Sequence, residues 1–154
     1  MTAKILISPF SKKMRNDKEN PKNYPYWNEV VEKLKSLGHH VTQLGITGEK
    51  LIGADEVVFN KSLEELTQMV LECDVWISVD NFFPHLCNLI GKPGIVLFGQ
   101  SDPSIFGHPQ NINVLKSREY VREKQFDIWE ACEYRKDVFV EPTVVVEYVL
   151  RGLS

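Results

Sequence analysis

The segment WISVDNFFPHLCNLIGKPGIVLFGQSDP, residues 76–103, decides the fold of this chain. Its two apolar runs, WISV and IVLF, are typical of buried strands, and each ends in a polar turn. Between them lies a short helical pattern that Gly91 closes, with Leu86, Leu89 and Ile90 as its expected core face. Two continuously apolar strands joined by a helix predict parallel neighbours in a sheet that is covered on both faces. Open α/β sheets bind ligands at the carboxyl ends of such strands.

The rest of the chain repeats this alternation of apolar strands and amphipathic helices. Strands are predicted at residues 4–8, 40–44, 56–59, 74–79, 95–98 and 112–115, and helices begin near Pro25, Ser62, Asn81 and Pro142. Residues 123–132 are a further candidate helix, and the β-branched run 144–146 leaves a strand open as the alternative to the last helix. We therefore predict an α/β fold: a single Rossmann-like domain over residues 1–154, with a mostly parallel sheet and helices on both faces.

The composition is that of an ordinary globular protein, with 43% hydrophobic and 25% charged residues in 154. A net charge of −3 gives no general attraction to nucleic acid or to an anionic membrane. The apolar run among the first residues is too short for a signal peptide. No stretch of the sequence approaches the roughly 18 apolar residues of a membrane span. Cys73, Cys87 and Cys132 lack CxxC spacing, which favours free thiols in a reducing compartment. A cytoplasmic location is expected.

Polar loops follow the first and second strands. The loop from Pro9 to Tyr24 is long for a compact domain, and it holds the basic residues Lys12, Lys13, Arg15, Lys18 and Lys22. Lys22 precedes a helix start, where free backbone N–H groups favour anions, so it is a candidate phosphate contact or, alternatively, a solvated lysine. After the second strand, the Glu49 carboxylate can accept hydrogen bonds from ribose hydroxyls or simply remain in solvent.

Polar turns also follow the fourth and fifth strands. Asp80 and His85 flank a helix start, where the imidazole can donate to a phosphate; alternatively, Asp80 caps the helix and His85 packs in its first turn. In the next turn, Gly99 permits close approach of the backbone to a ligand and Ser101 offers a hydroxyl, unless both belong to an ordinary Asp-Pro turn. All four turns follow parallel strands and are expected at one edge of the sheet, which predicts an anionic ligand, most simply a nucleotide.

The sequence has neither a Walker motif nor GxGxxG, and its histidines show no metal-ligand spacing. No metal and no further cofactor are therefore predicted.

The motifs, in their order along the chain, resemble those of glycosyltransferase family 9, the ADP-heptose:lipopolysaccharide heptosyltransferases. The resemblance is to the C-terminal, donor-binding half and covers nearly the whole chain. The segment Lys22-Asn23-Tyr24-Pro25-Tyr26-Trp27 resembles the family's Lys-x-Trp-Pro segment, and Gly48-Glu49 resembles its Gly…Glu element. The residues Cys73-Asp74 with Asp80 to His85-Leu86 resemble its Asp-Ser/Thr-Gly-x-x-His-Leu signature, and Gly91-Lys92-Pro93 resembles its Gly-Lys-Pro motif. Finally, Leu97 to Pro103 resembles its Leu-Phe-Gly-x-Thr/Ser-Asp-Pro motif, and Glu141 to Val145 resembles its Pro-Glu-x-Val helix start.

The resemblance implies one half of a two-domain GT-B glycosyltransferase that binds a nucleoside diphosphate sugar as its donor substrate, with no cofactor. It implies that Lys22 contacts the donor phosphate and that Glu49 contacts the ribose. By the same resemblance, the pyrophosphate and the sugar are surrounded by Asp80, His85, Gly99 and Ser101.

Two departures from the family bear on function. Phe82 stands where the family has a glycine, and a residue with a β-carbon keeps the backbone farther from a phosphate, so the sugar specificity is expected to differ. The family's acceptor-binding half, which supplies the carboxylate proposed as catalytic base, has no counterpart, so sugar transfer is expected to need a partner chain or a second copy.

The leading hypothesis is a glycosyltransferase-like protein of this kind. The alternatives are a non-catalytic module that senses or sequesters a nucleotide or nucleotide sugar, and a degenerate fold used as an interaction scaffold.

Overall fold

The computed structural model describes residues 2–154 and confirms the predicted alternation of strands and helices. The strands are β1 (Lys4–Ser8), β2 (His40–Gly45), β3 (Glu56–Phe59), β4 (Val75–Val79), β5 (Ile95–Phe98) and β6 (Ile112–Leu115). The helices are α1 (Trp27–Ser36), α2 (Leu63–Glu72), α3 (Phe83–Ile90), α4 (Pro103–Phe106) and α5 (Pro142–Gly152), and 3-10 turns lie at Arg118–Tyr120 and Trp129–Ala131. The last element is therefore a helix, not a strand.

The six strands form one parallel sheet in the order β3-β2-β1-β4-β5-β6. β1 lies between β2 and β4, where Ile5 is in register with Val41 on one side and with Val75 on the other. The chain winds outward in one direction from β1 to β3 and in the other from β4 to β6. The crevice beyond the carboxyl ends of β1 and β4 is therefore the topological switch point, where doubly wound sheets bind ligands.

Helices cover both faces of the sheet, as predicted. Successive strand residues point to opposite faces, so that Ile77 of β4 belongs to the core beneath α1 and α5, and Trp76 to the core beneath α2 and α3. This double burial explains the continuously apolar strands, since a strand with one solvated face would alternate with polar residues.

Local signals set the ends of the helices. In the predicted capping box, the Glu65 N–H donates to the Ser62 hydroxyl (3.1 Å) and the Ser62 N–H donates to the Glu65 carboxylate (3.2 Å). Gly91 ends α3 with φ at +87°, a left-handed conformation that glycine adopts without steric cost.

Two expectations were wrong. The side chain of Leu89 is 85% exposed, because it lies two residues after the buried Cys87, which is about 200° around the helix axis. Residues 123–132 form no α-helix and contain only the 3-10 turn Trp129–Ala131. The Arg122 guanidinium donates to the carbonyl oxygens of residues 125, 127 and 128, so the chain winds around that cation instead of bonding within a helix.

Candidate functional site

A cavity of about 850 Å³ opens at the switch point, within the range of about 300–1,000 Å³ that is usual for small-molecule sites. Its walls come from the loop after β1, from the turns after β2, β3 and β4, from the side chain of Leu66 in α2, and from a late segment of the chain. The lining residues are 8, 10–15, 20, 22, 44–46, 49, 60, 61, 66, 80–83 and 128–130. The structure thus brings three of the predicted site residues together: Lys22, Glu49 and Asp80.

Basic side chains predominate in the lining. Five are basic, namely Lys12, Lys13, Arg15, Lys22 and Lys61, and three are acidic, namely Glu49, Asp80 and Glu130. Four of the five residues in the predicted basic cluster therefore line the cavity. This excess of positive charge favours an anionic ligand.

Lys22 and Asp80 form an ion pair inside the cavity. The Lys22 Nζ lies 3.3 Å from the Asp80 Oδ2, and the side chains are 20% and 7% exposed. The buried Oδ2 accepts no hydrogen bond from residues 2–154, so the contact is a charge pair without aligned hydrogen-bond geometry. An ammonium group carries three N–H donors, and Lys22 can therefore bind a phosphate oxygen while it remains beside Asp80.

Asn81 joins the ends of β4 and β1 at the switch point. Its Oδ1 accepts from the Phe83 N–H (2.9 Å), and its Nδ2 donates to the Ser8 hydroxyl (3.0 Å) and to the Phe10 carbonyl (3.1 Å). Asn81 therefore bonds to the start of α3, although Phe82 occupies the N-cap position. These bonds hold the Asp80 turn against the loop that carries Lys22.

Phe82 leaves the cavity open. Its backbone angles, φ −68° and ψ −27°, are right-handed helical, so the turn does not require a glycine. The ring lines the cavity and remains 57% exposed. Phe82 therefore presents an aromatic surface to the cavity.

Glu49 is held by the turn after β2. Its Oε1 accepts from the Ile46 N–H (2.9 Å), and its carboxylate lies where a β-carbon on Gly45 would otherwise be. Partial burial raises the pKa of Glu49, and the hydrogen bond from Ile46 opposes this effect. A hydroxyl-bearing ligand would add hydrogen bonds to a carboxylate that is already in a fixed position.

Glu49→Gln is expected to remove a contribution that lowers stability as the pH rises, so just above pH 4.5 the stability of the variant should rise more steeply with pH than that of wild type. A raised carboxyl pKa means that the native state binds more protons than the unfolded state just above pH 4.5, the ordinary pKa, so stability falls as the pH rises through that range. The glutamine does not titrate, and its amide oxygen can still accept from Ile46. Urea unfolding at a series of pH values measures the slope.

Glu65→Gln is the matched control for this prediction. The hydrogen bonds from Ser62 lower the pKa of Glu65, so the stability that this carboxylate contributes to the protein is lost as the pH falls below 4.5. The slope of stability with pH therefore has the opposite sign to that from Glu49. Glutamine also serves in a capping box, so the helix start is kept. Equal slopes for wild type and Glu49→Gln would contradict the raised pKa.

Three predicted site residues lie outside the cavity lining. His85 is exposed, and its Nδ1 lies 2.7 Å from the Nε2 of His108. A β-carbon on Gly99 would come within 2.8 Å of Phe139 and Val138, so its missing side chain makes room for core packing. Ser101 is 1% exposed. Their assignment to a ligand stays a prediction.

Sequence reasoning missed the late segment that completes the cavity. Ile128, Trp129 and Glu130 line it, and the Arg15 Nε–Glu130 Oε2 ion pair (3.2 Å) joins this segment to the loop after β1. The segment follows no strand end, and the helix expected at residues 123–132 does not form, so neither signal pointed to the cavity.

Neither a metal site nor a membrane helix is evident in residues 2–154. No group of three or more His, Cys, Asp or Glu side chains is placed to hold a metal ion. No helix in this range has both the length and the apolarity needed to cross a bilayer.

No protein-family model matches the sequence, and a search of curated proteins found no significant match. Solved structures do match. ADP-heptose LPS heptosyltransferase II of E. coli and a glycosyltransferase family 9 protein of Veillonella parvula both have a TM-score of 0.69, at 15% and 17% identity; each match covers 98% of this chain and 46% of the other. The E. coli heptosyltransferase WaaC, solved with ADP, has a TM-score of 0.65 at 16% identity, over 96% of this chain and 43% of WaaC. This chain therefore shares the fold of family 9 heptosyltransferases and spans less than half of their length.

Proposed function

We propose that this chain is a cytoplasmic protein that binds a nucleoside diphosphate sugar at the switch point, as the donor-binding part of a glycosyltransferase. The observation that carries the proposal is the meeting of Lys22, Glu49 and Asp80 in one cavity, beyond the carboxyl ends of β1, β2 and β4. Three free thiols among residues 2–154 suit a reducing compartment.

Each of the three residues would contact a different part of the ligand. Lys22 would donate to the diphosphate, with the basic side chains of the loop after β1 around it. Glu49 would accept from ribose hydroxyls, and the apolar side chains of Leu44 and Ile46 beside it suit a flat base. Asp80, buried next to Lys22, would accept from a hydroxyl of the sugar.

Transfer of the sugar is proposed to need a part that residues 2–154 do not supply, in a partner chain or a second copy. The three cavity carboxylates already have partners: Asp80 pairs with Lys22, Glu130 pairs with Arg15, and Glu49 accepts from Ile46. Because Asp80 and Glu49 are assigned here to hydroxyls of the donor and Glu130 pairs with Arg15, we propose that the base that deprotonates an acceptor hydroxyl comes from elsewhere. The greater length of the matched heptosyltransferases supports the same proposal.

The test is thermal unfolding with ADP, UDP, GDP, CDP and their sugar conjugates. A ligand at a hundred times its dissociation constant stabilises the native state by about 2.7 kcal/mol, which raises Tm by roughly 5–10 °C in a domain of this size. One nucleotide series is expected to produce this shift in wild type. Lys22→Ala and Glu49→Ala are expected to lose most of it, measured relative to each variant without ligand.

Lys18→Ala is the matched control, because Lys18 lies in the same loop, is exposed and does not line this cavity. It should keep the full shift. The absence of a shift with every nucleotide would refute the proposal and favour an interaction scaffold. Binding without release of the sugar, under any pairing of chains, would favour the non-catalytic module.

A further inference from the structure

The segment 122–130 is a fixed loop built around one arginine. The Arg122 guanidinium donates to the carbonyl oxygens of Gln125 (3.2 Å), Asp127 and Ile128 (3.2 Å). Three carbonyl groups directed at one cation leave the loop little freedom, although it contains no α-helix. Hydrogen bonds to a charged group are stronger than those between neutral groups, so Arg122 determines the shape of the loop.

Gln125 attaches this loop to the turn after β5. Its Oε1 accepts from the Asp102 N–H (2.9 Å), and its Nε2 donates to the carbonyl oxygens of Gln100 (2.9 Å) and Arg122 (2.7 Å). The side chain of Gln125 is buried. The turn that contains Ser101 is thus linked to the cavity through the loop.

The loop places the ring of Trp129 against Lys22. The ring centroid lies 3.4 Å from the Arg122 Cζ and 4.9 Å from the Lys22 Nζ. A cation over an indole ring is attracted by the electron-rich face of the ring, and the attraction is stronger when the cation is desolvated. Lys22 is four-fifths buried, which favours a strong contact.

We propose that Trp129 is a positioning residue, which holds the Lys22 ammonium at the point where a diphosphate binds. A lysine side chain has four rotatable carbon–carbon bonds. The Asp80 carboxylate fixes its charged end from one direction, and the Phe106 ring lies farther away, with its centroid 5.7 Å from the Nζ. The indole ring fixes the charged end from another direction and keeps the ammonium in the cavity. Arg122 acts through Trp129, since it shapes the loop and contacts the ring. This inference rests on the proposed function and adds a residue that no strand end supplies.

Loss of the Trp129 ring is expected to affect only the binding of ligands that carry phosphate. Removal of the indole ring should weaken binding of a nucleoside diphosphate and leave binding of the nucleoside unchanged, because only the diphosphate contacts Lys22. A residue that merely supported the cavity wall would weaken both ligands alike.

The experiment compares Trp129→Leu with the conservative variant Trp129→Phe by calorimetric titration. The ligands are ADP, UDP, GDP and CDP, each with its nucleoside, and circular dichroism checks the fold of each variant. For the nucleotide that binds wild type most tightly, Trp129→Leu is expected to raise Kd about tenfold, the equivalent of about 1.4 kcal/mol. Trp129→Phe, which keeps an aromatic face, should stay within about threefold of wild type. Nucleoside affinities should be the same in all three proteins.

A spectroscopic readout accompanies the titration. Trp27 and Trp76 are 2% and 0% exposed, so Trp129 is the tryptophan that reports on the cavity. Inorganic pyrophosphate is expected to change the fluorescence of wild type and to leave that of Trp129→Phe unchanged.

The outcomes separate this inference from the proposed function. An unchanged diphosphate Kd in Trp129→Leu, or an equal loss for nucleoside and diphosphate, would overturn the positioning role while wild-type binding upheld the function. Failure of wild type to bind any of the four nucleotides or pyrophosphate would overturn both.

Discussion

Lys22→Met is expected to lower the free energy of unfolding at pH 7 by about 1–3 kcal/mol, because it leaves the buried Asp80 carboxylate without its cation. The side chain of Asp80 is 7% exposed, and its Oδ2 accepts no hydrogen bond from residues 2–154. Methionine keeps the length of the lysine stem, so the loss reports mainly on the charge. Urea denaturation gives the value.

A second substitution distinguishes an unpaired buried charge from lost packing. Asp80→Asn in the Lys22→Met background removes the unpaired charge and should recover most of the lost stability. The two substitutions are then non-additive, with a coupling energy of about 0.5–3 kcal/mol. Strict additivity would show that the two groups do not interact, and would also weaken the assignment of both to the ligand site.

Trp76→Ala is expected to destabilise the fold by about 3–5 kcal/mol, the usual cost of truncating a buried tryptophan. The indole is 0% exposed, packs edge-on against Phe83 (5.6 Å between ring centroids) and donates from Nε1 to the Lys92 carbonyl (3.1 Å). Phe83 also lines the cavity, so the damage reaches the site. Chemical denaturation monitored by circular dichroism measures the loss.

Two further variants are controls for this prediction. Leu89→Ala, at an 85% exposed position on α3, should change stability by less than about 0.5 kcal/mol. Gly94→Ala should cost about 1–3 kcal/mol, because its β-carbon would overlap the Trp76 indole, and this cost should largely disappear in the Trp76→Ala background. A large loss from Leu89→Ala, or an unrelieved cost at Gly94, would contradict the packing.

The fold could be predicted from the sequence because its signals are local. The central strands β1, β4 and β5 contain continuous apolar runs of three or four residues, and each central helix has a polar start or a glycine end. Parallel pairing follows from their alternation. The exposed Leu89 was misassigned because an apolar residue on a short helix matches the core pattern without reaching the core. Only tertiary contacts show which side of α3 is covered.

Part of the candidate site could be predicted from the sequence, namely the meeting of Lys22, Glu49 and Asp80 in one cavity. These three follow β1, β2 and β4, which meet at the switch point, so strand order alone brings them together. Gly99 could not be interpreted in this way, because a sequence does not reveal whether a ligand or a core side chain occupies the space a glycine leaves. Here Phe139, forty residues later, occupies it. Trp129 was missed because a single cation, Arg122, shapes its loop.

The exposed basic side chains of the loop after β1 and the enclosed Lys22 are expected to act at different stages of ligand binding. Lys12, Lys13 and Arg15 are exposed along the loop after β1, where their field extends about 8 Å into a solution of physiological ionic strength. Such charges accelerate the encounter with a multiply charged ligand, an effect that added salt suppresses. Under the proposed function, Lys22, which Asp80 and Trp129 enclose, is shielded from salt and acts after the encounter. We therefore expect the outer loop to govern the association rate and the enclosed lysine to govern the residence time of the ligand.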